Sequence, residues 1–193
     1  METIILASGS PRRQELLKRV GIPFKAFPPH IDEQAGRGAA VEERVQIIAR
    51  QKIEKVLSLF KEESPRWILG LDTLVEFKGR AIEKPVDIED AERILKELSG
   101  ATHRVYTAIG FLPSRQSRID MRFACTRVKF IKLTEEDIQY YLMTGEWRGV
   151  AGAYRIQDRG AFFIESIKGS CSNVVGLPLE TFYGMLRDNS FPL

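Results

Sequence analysis

Residues 3–7, Thr-Ile-Ile-Leu-Ala, read as a buried strand that ends abruptly at Ser8-Gly9-Ser10-Pro11. Proline suits the first position of a helix, because its missing N–H would have no partner there. Ser10 is placed to cap that helix. Leu16, Leu17 and Val20 supply its apolar face, and Gly21 stops it. A strand thus delivers the chain into a Ser/Gly loop at a helix N-terminus, where free backbone N–H groups and the helix dipole favour an anion. Two hydroxyls can add donors. Arg12 and Arg13 run against the dipole in that first turn, which makes sense if a polyphosphate sits there and takes bidentate guanidinium contacts. The G-x-x-x-x-G-K-[ST] pattern of a Walker loop is absent.

The rest of the chain alternates strands and helices before turning to long extended runs. Residues 23–27 read as a short strand. Val45, Ile48, Ala49, Ile53, Val56, Leu57 and Phe60 recur at helical spacing, which predicts an amphipathic helix over 41–60 with Lys52 on its polar side. Residues 67–77 read as a central strand, Lys78-Gly79 as a tight turn, and Ala81-Ile82 as its return. Asp87 caps a helix that runs to Leu98 and ends at Gly100. Residues 102–112 and 117–131 suggest a long antiparallel pair. In the second run Ile119, Met121, Phe123 and Cys125 alternate, then the phase shifts to Val128 and Phe130, which predicts a bulge near Thr126-Arg127. Thr134, with Asp137 three residues on, caps another helix that ends at Gly145. Residues 161–165 read as a strand, and Pro178 starts the last helix. The pattern is that of a mixed-sheet α/β protein.

Composition narrows the function classes. At 193 residues, 44% hydrophobic and 28% charged, the chain can build a sizeable core, and one domain over residues 1–193 is the expectation. No apolar run is long enough to span a bilayer, and the first residues lack the basic stretch of a signal peptide, so the expected location is cytoplasmic, away from membranes. The 29 Lys and Arg against 26 Asp and Glu give a formal charge of +3, with the signs interspersed. A nucleic-acid partner would call for a concentrated basic stripe, and none is present. Cys125 and Cys171 fit no metal-ligand spacing and read as two free, buried thiols.

Other residues carry chemistry with less force. Asp72 lies inside an apolar strand, where an unpaired carboxylate is costly; such a group binds a metal or cation, or serves as a base. Gly70 beside it leaves room for something to approach the backbone. Lys84, held before Pro85, could reach a phosphate or Asp72, although on the residues alone it reads as a solvated lysine. In Ala151-Gly152-Ala153-Tyr154-Arg155-Ile156-Gln157, the amide of Gln157 offers both donor and acceptor, which suits a nucleobase edge. His103 has no second His or Cys at ligand spacing and reads as a satisfied structural histidine. His30 reads as solvated.

Leu6-Ala7-Ser8-Gly9-Ser10-Pro11-Arg12-Arg13 resembles the opening signature of the Maf family of nucleoside triphosphate pyrophosphatases. Ile31-Asp32-Glu33, Gly70-Leu71-Asp72-Thr73, Lys84-Pro85, the run from Ser99 to Thr107, the run from Ala151 to Gln157 and the run from Asn173 to Leu179 follow the family pattern in order. The resemblance implies a mixed, strongly bent sheet with two lobes around a central cleft, similar to inosine-triphosphate pyrophosphatases. It implies hydrolysis of a nucleoside triphosphate to the monophosphate and pyrophosphate with a divalent cation, Mg or Mn. Asp72 matches the family's proton acceptor, and Glu33 with Asp72 would hold the metal. Ser8, Ser10 and Arg13 match its phosphate loop, and Lys52 and Lys84 its polar residues at the phosphates. Arg12, Thr73 and Gln157 match the branch that prefers dTTP and UTP rather than the 7-methyl-GTP branch. A homodimer and an association with arrest of septum formation are further family properties; a nucleotide-binding regulator without turnover is the reading from another class. The chain departs from the family pattern at Val150, Asp158 and Cys171.

Overall fold

The computed structural model describes residues 2–32, 34–60, 65–113 and 118–193. Its strands are β1 (Ile4–Ala7), β2 (Phe24–Ala26), β3 (Trp67–Phe77), β4 (Arg80–Ile82), β5 (Thr102–Pro113), β6 (Asp120–Phe130) and β7 (Ile164–Lys168). They form one sheet in the order β2-β1-β3-β5-β6-β7, with β4 paired to β3. β1 runs parallel to β2 and β3, whereas β3–β4 and β6–β7 are antiparallel, so the sheet is mixed as expected. The helices are α1 (Pro11–Arg19), α2 (Val41–Leu57), α3 (Ile88–Leu98), α4 (Glu135–Thr144), the short α5 (Cys171–Val175) and α6 (Leu179–Asp188). None of the described helices is long and apolar enough to cross a membrane.

The chain divides into two compact units. One comprises Met1–Asp72, Thr107–Ala124 and Gly176–Leu193; the other comprises Thr73–Tyr106 and Cys125–Val175. In the first unit Ile4 and Leu6 of β1, Leu69 and Leu71 of β3, and Phe111 of β5 pack with Leu17 of α1 and with Phe182 and Met185 of α6. Ile53 and Val56 of α2 form a second cluster with Ala7 and Ile68. In the second unit Ile94, Leu95 and Leu98 of α3 join Val75, Phe77, Val128, Phe130 and Tyr141. Burial of each such large side chain stabilises by ~1.5–3 kcal/mol relative to leaving it in water.

Local signals set several boundaries. Asp87 accepts from the Asp90 N–H, and Thr134 and Asp137 form a reciprocal capping box. Ser10 stands at the N-cap of α1 but its side chain makes no cap bond; the Ser10 N–H instead donates to Ser8 Oγ at 3.3 Å. Residues 161–163, expected to open a strand over 161–165, belong instead to a 3-10 turn over Arg159–Phe163, and β7 starts only at Ile164. In the β6–β7 pairing a register shift falls between Lys129 and Phe130. Thr126, Val128 and Phe130 face inward while Phe123 and Cys125 are exposed. Both cysteines are free thiols as expected, but they are exposed rather than buried.

Candidate active site

In the first unit the site is built by one close approach of helix to strand. A Cβ at Gly70 would lie 2.4 Å from Ile53 Cγ1 and 2.8 Å from the Ala49 carbonyl oxygen, so only glycine lets α2 rest on β3 here. The expected approach to the backbone is therefore by the protein's own helix. Lys52, between Ala49 and Ile53, is carried down with that face and is buried, against the expectation of a polar-face lysine. Its Nζ donates to Asp72 Oδ1 at 2.7 Å and to the Leu71 carbonyl at 3.4 Å. Asp72 is itself buried, so the ammonium balances a carboxylate that would otherwise be costly to hold there.

Arg13 completes this cluster. Its Nη1 donates to Ser8 Oγ at 3.0 Å and to the Leu71 carbonyl at 3.1 Å, and its Nε to the Gly176 carbonyl at 2.8 Å. One buried guanidinium therefore joins the loop after β1, the residue before Asp72 and the approach to α6. These carbonyl and hydroxyl acceptors offset the unfavourable placing of a cation at the N-terminus of α1. Arg12 and Ser10 are half-buried beside it in sequence. Arg13 and Lys52 against Asp72 leave this cluster net positive, which suits a polyanion.

The second unit carries the other candidate residues. Thr73, next after Asp72, is half-buried. Glu76 is buried; its Oε1 accepts from the Gly79 N–H at 2.6 Å and its Oε2 from Arg104 Nη1 at 2.8 Å. This ties down a turn in which Lys78 and Gly79 have φ of 52° and 78°. Lys84 lies exposed past that hairpin, and Gln157 lies exposed in the turn that follows Ile156. Glu76 was not singled out from sequence, although the signal was the same as for Asp72: an acid in an apolar strand, four residues on and hence on the same face. His103 is buried as expected, with Nε2 2.8 Å from Tyr154 Oη, and burial pushes its pKa down to about 4. Its Nδ1 is buried without a hydrogen-bond partner among the described residues.

No group of three or more His, Cys, Asp or Glu side chains forms a metal cage among the described residues. Glu33, the other expected ligand, lies outside them. A hard cation such as Mg²⁺ keeps several waters and needs only one or two protein carboxylates when phosphate oxygens supply the rest. Asp72 is one such carboxylate, so the donor chemistry fits.

The family model for Maf-like proteins matches residues 3–189. A dTTP/UTP pyrophosphatase of Pelotomaculum thermopropionicum is 38% identical over 187 residues, covering 97% of this chain and 96% of that protein. A dTTP/UTP pyrophosphatase of Salmonella typhimurium is 42% identical over 186 residues, covering 96% and 92%. The solved structure of the Staphylococcus aureus Ham1 protein has a TM-score of 0.45 at 13% identity, over 67% of this chain and 72% of that one.

Proposed function

The chain belongs to the family of Maf-like proteins, and from that premise we propose that it hydrolyses nucleoside triphosphates, dTTP and UTP above others, to the nucleoside monophosphate and pyrophosphate. The observation that carries the reading is the buried Lys52–Asp72 pair one residue beyond the carbonyl that Arg13 grips. A phosphoanhydride demands positioning and charge neutralisation more than covalent chemistry. Ser8, Ser10, Arg13 and Lys84 supply donors and positive charge for the phosphates. Lys52 fixes the orientation of Asp72 and adds positive charge nearby. Asp72 accepts a proton from the attacking water on a carboxylate oxygen. A divalent cation, Mg or Mn, held by Asp72 and Glu33, would supply further neutralisation of phosphate charge.

Base choice falls to Arg12, Thr73 and Gln157. Uracil and thymine present two carbonyl acceptors flanking one N–H, and an amide can pair with such an edge. Cytosine replaces one carbonyl by an amino group, so a donor-only guanidinium would meet a donor. The two exposed free thiols suit a reducing, cytoplasmic setting. A homodimer without nucleic-acid or membrane partners completes the reading. The test is kcat/KM for dTTP, UTP, CTP and 7-methyl-GTP. The expected result is at least ~10-fold preference for dTTP and UTP over CTP, about 1.4 kcal/mol in transition-state binding. Preference for 7-methyl-GTP would overturn the base assignment.

A further inference from the structure

Gln157 is an exposed amide in a turn, a position that usually leaves a side chain free to sample several directions. The backbone that carries it is unusually constrained. On one side Tyr154 is fully enclosed: its ring packs edge-on against Phe130, with centroids 4.8 Å apart, and its Oη lies 2.8 Å from His103 Nε2. His103 in turn stands edge-on to Phe130 at 5.0 Å. Immediately beyond, Tyr141 of α4 accepts the Arg155 N–H on its Oη at 3.1 Å, and its ring packs on Phe163 at 5.0 Å. Ile156 is buried in the same core. On the far side Gly160 closes the turn, since a Cβ there would lie 2.6 Å from the Arg155 carbonyl oxygen.

The approach to the turn is equally fixed. Gly152 and Ala153 have φ of 76° and 60°, and a Cβ at Gly152 would lie 3.0 Å from Val75 Cγ2. An alanine held in the left-handed region costs free energy that the surroundings must offset. Buried phenol hydroxyls without hydrogen bonds are costly, so Tyr141 and Tyr154 each have reason to hold their partner. Both hydroxyls keep their protons, because burial pushes both tyrosines above the ordinary phenol range.

We propose that Tyr141 and the His103–Tyr154 pair are positioning residues for base selection: together they clasp the backbone on the N-terminal side of Gln157 and so fix where its amide points. The inference rests on the reading of Gln157 as a base contact. Its chemical content is that selectivity between dTTP or UTP and CTP depends on two hydroxyls that need touch no substrate. Discrimination by hydrogen bonds is lost when the donor or acceptor is free to move away from its partner.

The experiment uses Tyr141→Phe, Tyr154→Phe and the double variant, which keep both rings in the core and remove only the hydroxyls. The readout is kcat/KM for dTTP, UTP and CTP, with thermal unfolding measured in parallel. The expected result for the double variant is at least a ~5-fold fall in the dTTP/CTP ratio, with kcat on dTTP within ~3-fold of the parent. A purely structural role would lower unfolding temperature and leave the ratio unchanged, and that outcome overturns the proposal. Should the double variant fail to fold, the single variants carry the same readout. Gln157→Ala separates the two levels of the argument. If it collapses the ratio while folded clasp variants keep it, the clasp fails and the base contact stands. If Gln157→Ala itself keeps the parent ratio, the base contact fails and the clasp with it.

Discussion

Lys52 Nζ lies 2.7 Å from Asp72 Oδ1, and about nine-tenths of each side chain is buried. The two residues come from different elements, α2 and β3, and meet because Gly70 has no side chain to hold the helix away. Their contact is thus a packing consequence as much as an electrostatic one. It leaves Asp72 in a fixed orientation, with its second carboxylate oxygen outside the Lys52 contact.

Asp72→Asn keeps the shape of the side chain and an acceptor for Lys52, but removes the base. Turnover on dTTP is expected to fall ~10²–10⁴-fold. Steady-state kinetics on folded protein, checked by circular dichroism, measures this. Parent-like turnover would remove Asp72 from the chemistry.

Lys52→Met keeps the length of the stem and strands the carboxylate. Removing one partner of a buried pair typically costs ~3–5 kcal/mol, whereas replacing both by apolar residues is often neutral. Denaturant unfolding is therefore expected to show Lys52→Met strongly destabilised, with Lys52→Met/Asp72→Leu recovering much of the loss while remaining inactive. Equal stability of the single and double variants would show that the pair does not couple.

Arg13→Ala removes a buried guanidinium that serves three acceptors: Ser8 Oγ and the carbonyls of Leu71 and Gly176. Hydrogen bonds from charged groups contribute ~1.5–3 kcal/mol each, so a marked drop in stability is expected. Because every triphosphate presents the same phosphates, kcat/KM for dTTP, UTP and CTP should fall in parallel. A change in their ranking with normal turnover of the best substrate would contradict the phosphate role.

Elements with local causes were legible in the sequence. The Asp87 cap and the Thr134/Asp137 capping box depend on neighbours within a few residues, and each appears where its side chains put it; the strand–loop–helix opening also forms, with Pro11 at the start of α1 but without the Ser10 cap bond. Asp72 stood out because an acid in an apolar strand needs an explanation. Features that depend on distant partners were hidden. The burial of Lys52 follows from contact between α2 and β3, and the 3-10 turn at 159–163 depends on Gly160 fitting against Arg155. The inward-facing Val128 and Phe130 follow the expected phase, but the exposure of Cys125 depends on which face of β6 is covered, and alternation alone does not say which. The Tyr141 and Tyr154 hydroxyls find partners 14 and 51 residues away in sequence, beyond any local pattern.

His103 gives a pH signature. Burial, partly opposed by the charge of Glu76, pushes its pKa down to about 4 from the usual 6.5. Between those values the unfolded chain binds a proton that the folded chain does not, so stability is full above pH 6.5 and is lost as pH falls toward 4. The shift corresponds to about 3 kcal/mol at most. Urea unfolding at pH 7, 5.5 and 4.5 should show a smaller acid loss for His103→Gln than for the parent. Parallel losses in both chains would remove His103 as a source.

The central claim is that water attacks so as to release pyrophosphate. Incubating the protein with dTTP and Mg²⁺ and separating the products by anion-exchange chromatography tests it directly. The account predicts dTMP and pyrophosphate in equal amounts. Formation of dTDP with orthophosphate, or no turnover of dTTP or UTP with either Mg²⁺ or Mn²⁺, would contradict it.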